Sequence, residues 1–320
     1  MKSFSIPEDF PDRLVNSLGE CRRLFGPVIG QDGVCRLAQA EKWKELSPAA
    51  IPLIPPKKVL LPPSDPLWTL TDDAYRSPAP PEPAALIGIP PCDLYGLAYL
   101  DLVFAEDPLY RRRREALLLV GAACTPGPEC FCPPRREPPP FDLFLDDGRI
   151  WCGSPAGDGI LASLAEELGE PEELPLPEAV LGGEGVRPPE DLEQIFRASV
   201  HDPLWREVGA RCVSCGACSA VCPTCYCYDA VDEALPGGEV TRIRQWDNCF
   251  FRNHALVAGG HNFRPTRAER LRFRFEHKLL GFGTLRGVSS CVGCGRCGRA
   301  CPVDIDISEV LARLVSGEGT

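Results

Sequence analysis

The sequence predicts an α+β chain in which an N-terminal α/β domain is followed by a helical domain organised around cysteines. Three observations carry that expectation. Two apolar runs, Ala85 to Pro90 and Ala116 to Ala122, bracket a helix-like stretch, the pattern of a buried βαβ unit. A Pro-, Gly- and Glu-rich stretch, Gly169 to Pro188, then interrupts the chain and separates residues 1–180 from residues 189–320. Beyond it the pattern C-x2-C-x2-C-x3-C-P occurs twice, first as Cys212, Cys215, Cys218, Cys222 and Pro223, then as Cys291, Cys294, Cys297, Cys301 and Pro302.

At 320 residues the chain is long enough for roughly two domains. A net charge of -11 argues against a general nucleic-acid binder. The start, MKSFSIPEDFPDRL, lacks the apolar core of a cleavable signal, and no apolar stretch reaches the length of a membrane span. The expected location is therefore the cytoplasm, where 18 cysteines point to metal rather than disulfides.

Taken in order, Ala38 to Leu46 reads as a short helix, KKVLLPP from Lys57 as a short strand, and Ser77 to Pro83 as a stiff polyproline-like connector. Cys21 and Cys35 stand singly, as small buried hydrophobes do. The strand at Ala85 delivers Cys92 and Asp93, the strand at Ala116 delivers Cys124, and Cys130 and Cys132 follow. Functional groups of an open α/β sheet gather at the carboxyl ends of strands, so these residues are candidates for a 4Fe-4S cluster, a third beside any held by the two cysteine runs. The set would be Cys124, Cys130 and Cys132 with Cys92 or Asp93; buried structural thiols are the competing reading. Between the strands, Asp93 to Phe104 supplies the crossover helix. The arginine run Arg111 to Arg114 reads as a solvated face. FDLFLDDGRIWCG is a hairpin turning at Asp147 and Gly148, and Gly159 to Leu168 a helix.

A further helix opens at Pro189 and leads into the first cysteine run. Four thiols per run with a terminal Cys-Pro suit a 4Fe-4S cluster; zinc knuckles use C-x2-C pairs with a longer gap. Small residues between the thiols let sulfurs and backbone N–H groups converge. The runs resemble those of bacterial two-cluster ferredoxins. That resemblance implies a two-cluster ferredoxin-like domain with crossed ligation: Cys212, Cys215 and Cys218 with Cys301, and Cys291, Cys294 and Cys297 with Cys222.

Here positions 223–290 form a long insert of 68 residues between the runs. Cys225, Cys227 and Cys249 within it read as packing and tuning groups near sulfur or as ligands to an extra centre. A helix follows, with Thr266 and Glu269 as its capping box and Gly281 as its stop. Leu271, Phe275 and Leu279 form its apolar stripe, while Arg267, Arg270, Arg274 and Lys278 are expected on another face, solvated or docking an acidic partner. His254, His261 and His277 read as hydrogen-bonding residues. Asp306 and Glu309 cap a closing helix.

IPPCDLYGLAYLD, CVSCGACSAVCPTCYCYD, the WDNCFFRN to FRFEHK segment and CVGCGRCGRACPVDIDISEV resemble the iron-sulfur beta subunit of cytoplasmic NAD(P)-linked NiFe sulfhydrogenases. They are also similar to the iron-sulfur A component of anaerobic sulfite reductases. The likeness runs from about Lys57 onward; Pro133, Pro134, Arg135 and Arg136 depart from the glycine-containing stretch usual after the CFC of Cys130 to Cys132. It implies an electron-transfer subunit between a flavin and 2Fe-2S subunit that handles NAD(P)H and a NiFe hydrogenase or sirohaem sulfite reductase. A flavin- or deazaflavin-binding oxidoreductase subunit is the alternative.

Overall fold

The computed structural model describes residues 1–71, 74–183, 185, 189–234 and 236–317. They form two compact units. The first comprises Met1–Leu60, Ala79–Gly127 and Cys132–Gly185; the second comprises Leu61–Pro78, Pro128–Phe131 and Val186–Thr320.

The first unit is built on a mixed eight-stranded sheet. At its centre Ala84–Ile89 pairs in parallel with Leu117–Ala122, and the helix Pro91–Val103 connects them, as the apolar runs predict. Every residue of both strands is buried, which explains why neither alternates apolar with polar. Ala85, Ile87, Leu118 and Val120 share a core with Phe10, Leu14 and Leu18 of the helix Phe10–Gly19. Gly88 bulges the first strand with φ +71°, and a Cβ there would lie 3.0 Å from Pro48 Cα. The chain is thereby redirected where Pro90 enters the helix bearing Cys92 and Asp93. Asp147 and Gly148, both at positive φ, turn the expected hairpin Leu143–Asp146 to Arg149–Cys152.

Several local expectations give way to tertiary pairing. Ala38 and Gln39 belong to the strand Cys35–Gln39 against Gly26 and Phe25, and only Trp43–Glu45 is helical. Lys57–Leu60 is a helical turn rather than a strand: it follows Pro55 and Pro56, and Lys58 Nζ reaches the Leu37 carbonyl at 2.9 Å. The later helix begins at Pro155, capped by Ser154, and ends at Ser163. The helix expected from Pro189 covers Leu192–Ala198. Cys21 is exposed and Cys35 half-buried, so neither is a core thiol. Arg111 is exposed, but Arg113 donates to the Leu60 carbonyl and Arg114 pairs with Asp101 at 3.2 Å, so the arginine run is braced rather than freely solvated. Within the expected linker, Glu172–Glu173 pairs with the strand Lys2–Ser5; residues 184 and 186–188 lie outside the described residues.

The second unit holds both cysteine runs. The long helix Arg267–Leu280 crosses the helix Pro203–Arg211, whose C-cap is Cys212. Thr266 and Glu269 form its capping box and Gly281 its C-cap, as the sequence predicts. Its apolar residues Leu271, Phe275 and Leu279 pack with Trp205, Val208 and Phe250. A four-stranded antiparallel sheet, absent from the sequence expectation, joins Tyr228–Ala234 and Val240–Trp246 of the insert to Ser64–Thr71 and Ala74–Arg76.

The helix crossing is closest at Gly209. A Cβ there would sit 2.9 Å from the Ala268 Cα and backbone N. Gly209→Ala is expected to destabilise the protein by about 1–3 kcal/mol through overpacking, read as a lower midpoint in an anaerobic urea titration. An unchanged midpoint would show that the two helices part at no cost.

Candidate iron-sulfur centres

The two cysteine runs fold alike because the same positions take left-handed backbone. Ser214 and Gly293 have φ +55° and +72°; Gly216 and Gly295 have φ +81° and +69°. Each glycine then opens a short helix, Ala217–Ala220 or Arg296–Arg299. Such turns aim backbone N–H groups at a common point, and sulfur receives them. Ser214 N–H donates to Cys212 Sγ at 3.4 Å, and Ile305 N–H to Cys301 Sγ at 3.3 Å. Burial raises the Cys291 thiol, and the Gly293 N–H opposes that by bonding its sulfur.

Space at the glycines is short. A Cβ on Gly216 would lie 2.5 Å from Asn248 Nδ2, and one on Gly295 would lie 2.4 Å from the Glu129 carbonyl oxygen. Buried Asn248 braces the first run: Nδ2 donates to the Gly216 carbonyl at 2.8 Å, and Oδ1 accepts from Ser219 Oγ at 3.1 Å. Residues 128–131 brace the second, with Phe131 N–H donating to the Gly293 carbonyl at 2.8 Å and the Cys130 thiol facing the Cys294 carbonyl.

Cys212, Cys215, Cys218 and Cys301 line one cavity, open in part to solvent, with Cys297 also in its wall. Phe250, Leu271, Phe275, Ile305 and Ile307 make the walls apolar. Three cysteines of the first run thus border the same cavity as the last cysteine of the second. Burial pushes Cys218 up to about 11 and Cys297 up to about 12. Both therefore hold their protons at neutral pH until a metal displaces them.

Of the stripe expected on a solvated or docking face, Arg267 is exposed, but the other three residues are not. Arg270, Arg274 and Lys278 are buried, and the helix carrying them touches both runs. Arg267 donates to the Cys212 carbonyl at 2.7 Å. Arg274 donates to the Cys218 carbonyl at 2.9 Å, to Ser219 Oγ at 2.9 Å and to Cys225 Sγ at 3.2 Å. Lys278 Nζ donates to Thr224 Oγ1 at 2.9 Å, which lies 3.4 Å from Cys222 Sγ. The Lys278 carbonyl accepts from Ser290 and Cys291 N–H at 2.9 and 3.1 Å. Burial opposes both charges, yet the surrounding sulfurs outweigh it, and both side chains stay protonated. Among the described residues no carboxylate pairs with Arg274 or Lys278.

Two buried cations facing sulfur need a compensating anion. A 4Fe-4S cluster held by four thiolates is one, and N–H donors to sulfur are the polar contacts it accepts. The residues present fit the group.

Comparisons with known proteins also point to iron-sulfur chemistry. Residues 211–305 match the 4Fe-4S dicluster domain family. The chain is 33% identical over 329 residues to sulfhydrogenase 2 subunit beta of Pyrococcus furiosus, covering 97% of each chain. The chain belongs to the sulfhydrogenase beta-subunit family. No solved structure matches it. Its cofactors include two 4Fe-4S clusters, and it is an iron-sulfur electron-transfer subunit. Among the described residues no helix is long and apolar enough to cross a membrane.

The remaining candidates of this sulfhydrogenase-family chain divide between the units. Buried Cys92 and Asp93 open the helix after Ala84–Ile89, and Cys124 follows the neighbouring parallel strand, so both carboxyl ends carry thiols as expected. Cys132 also belongs to the first unit, and its carbonyl accepts from Gly183 and Gly185 N–H. Cys130 belongs instead to the second unit, because its segment pairs with the second run.

In the insert, Cys227 and Cys249 hydrogen-bond one another and Cys225 accepts from Arg274, so these thiols pack around the runs. His254 bonds Asp247, and His277 bonds Tyr226 at 3.1 Å, as hydrogen-bonding histidines do. Burial drops His277 to about 4, leaving it neutral. Sequence reasoning missed the roles of Asn248, Thr224, Arg274 and Lys278.

Proposed function

We propose that this chain relays electrons between a flavin-containing partner that handles NAD(P) and the catalytic subunit of a NiFe hydrogenase. One cluster is held by Cys212, Cys215, Cys218 and Cys301, the other by Cys291, Cys294, Cys297 and Cys222. The observation that carries this reading is the cavity that the first four of those cysteines line between apolar walls. Its rim supports contact with a partner: Cys215 is exposed, and beside it Val213 and Phe251 are 54% and 42% exposed. The similarity to a sulfhydrogenase beta subunit supports the choice of hydrogenase over sulfite reductase.

The test is reduction of the purified chain under anaerobic conditions. NAD(P)H alone is expected to leave its iron-sulfur absorbance unchanged, and NAD(P)H with the flavin subunit to bleach it. Bleaching by NAD(P)H alone, with a resolved flavin band in the chain's own spectrum, would make it a flavin-binding oxidoreductase instead.

A third 4Fe-4S cluster in the first unit is part of the proposal, on Cys92, Cys124 and Cys132 with Asp93 as an oxygen ligand. The sequence expectation added Cys130 to this set; its place beside Cys294 favours leaving it out. Iron analysis of a Cys124→Ser, Cys132→Ser variant is expected to show about four fewer iron atoms per chain than the unaltered protein. An equal count would leave those residues as structural thiols.

A further inference from the structure

Lys278 is a buried ammonium with a fixed address. It is 4% exposed, Thr224 Oγ1 holds its Nζ at 2.9 Å, and Thr224 is itself fully buried and 3.4 Å from Cys222 Sγ. Its own carbonyl accepts the Cys291 N–H at 3.1 Å. One residue is therefore tied to Cys222 at the end of the first run and to Cys291 at the start of the second. These are the two ligands that crossed pairing assigns to a single cluster.

The other buried cation is placed differently. Arg274 bonds the Cys218 carbonyl, Ser219 Oγ and Cys225 Sγ, so its hydrogen bonds lie on the first run and the insert; its charge also reaches Cys297, while at Cys222 and Cys291 Lys278 acts more strongly. His277, the neighbouring titratable group, is neutral because burial holds it near 4, and Tyr226 is its hydrogen-bond partner. The thiols of Cys225 and the runs are the other ionisable groups facing the ammonium.

An electron added to a cluster adds negative charge to an anion already surrounded by protein. A fixed cation nearby stabilises the reduced form more than the oxidised one, and burial keeps water and salt from screening it. From this placement we propose that Lys278 selectively raises the reduction potential of the cluster held by Cys291, Cys294, Cys297 and Cys222. The two clusters, alike in ligands and backbone, are thereby made unequal, and the electron gains a preferred resting place on that cluster. This rests on the crossed pairing of the proposed function.

The experiment is an anaerobic redox titration of the reconstituted full-length chain, monitored by electron paramagnetic resonance. Lys278→Gln removes the charge while keeping a donor for Thr224. It is expected to shift one cluster midpoint downward and move the other by less. Lys278→Arg keeps the charge and is expected to restore the wild-type midpoint, which a purely structural role would not predict. Two unchanged midpoints with full iron content, or two equal shifts, would overturn the proposal. Should Lys278→Gln lose iron, Lys278→Met decides, since it removes the charge and leaves the Thr224 contact with Cys222 Sγ in place. A downward shift of the same midpoint supports the assignment, and no shift overturns it. Failure of the pairing itself would appear separately, in iron counts of cysteine variants.

Discussion

A Cys215→Ala, Cys301→Ala double variant is expected to lose one cluster and not two, about four iron atoms per chain fewer than the unaltered protein. The two residues stand 86 positions apart in different runs, yet both line the same cavity with Cys212 and Cys218. Removing either thiolate opens one corner of one cluster; removing both opens two corners of the same one. If each run held its own cluster, the pair would belong to different centres and the loss would be about eight. Cys215→Ala with Cys294→Ala supplies the contrast, since crossed pairing puts these in separate clusters and the expected loss is about eight. Iron analysis after anaerobic reconstitution reads all three outcomes. Equal losses in the two double variants would refute the crossed assignment.

What the sequence makes legible, and what it hides, follows from the range of the interactions involved. The cysteine runs, the capping box at Thr266 and the apolar parallel strands are written in local spacing, and the structure places them as expected. The strand at Cys35 is not local: its partner is the strand Arg23–Ile29, and ladder pairing there overrides a helix-favouring composition. The sheet of the second unit is less local still, because Ser64–Thr71 pairs with Val240–Trp246, and two segments of the first unit, Ala79–Gly127 and Cys132–Gly185, intervene in the sequence.

The basic stripe is a different case, since the information was present. At 3.6 residues per turn, positions 274 and 278 fall within about 40° of one another and adjoin position 271. Arg274 and Lys278 flank Leu271 on an arc that is in the core beyond the first turn, whereas Arg267, in the first turn, is exposed. Residue type suggested a solvated face; angular position pointed to the interior. The arc alone does not say what the cations meet there, because the anion they balance is an inorganic cluster bound by residues far away in sequence.

The same logic of buried charge yields the largest expected effect on stability. Asp65 and Arg244 form an ion pair at 2.7 Å with side chains 0% and 5% exposed, joining Ser64–Thr71 to Val240–Trp246. Arg244 also lies over the Tyr228 ring, and Trp246 Nε1 donates to the Leu61 carbonyl at 2.9 Å, so this corner ties the segment 61–78 to the insert. Asp65→Ala leaves a buried guanidinium without its carboxylate, and the expected cost is about 3–5 kcal/mol. An anaerobic urea titration followed by circular dichroism should show it as a much lower midpoint. The double variant Asp65→Leu, Arg244→Met removes both charges and fills the space with apolar atoms, so it should cost far less than the single change. A single variant no less stable than the double one would mean that water reaches Arg244 and compensates its charge. The corner would then be held by the strand ladder and by Trp246 rather than by the ion pair.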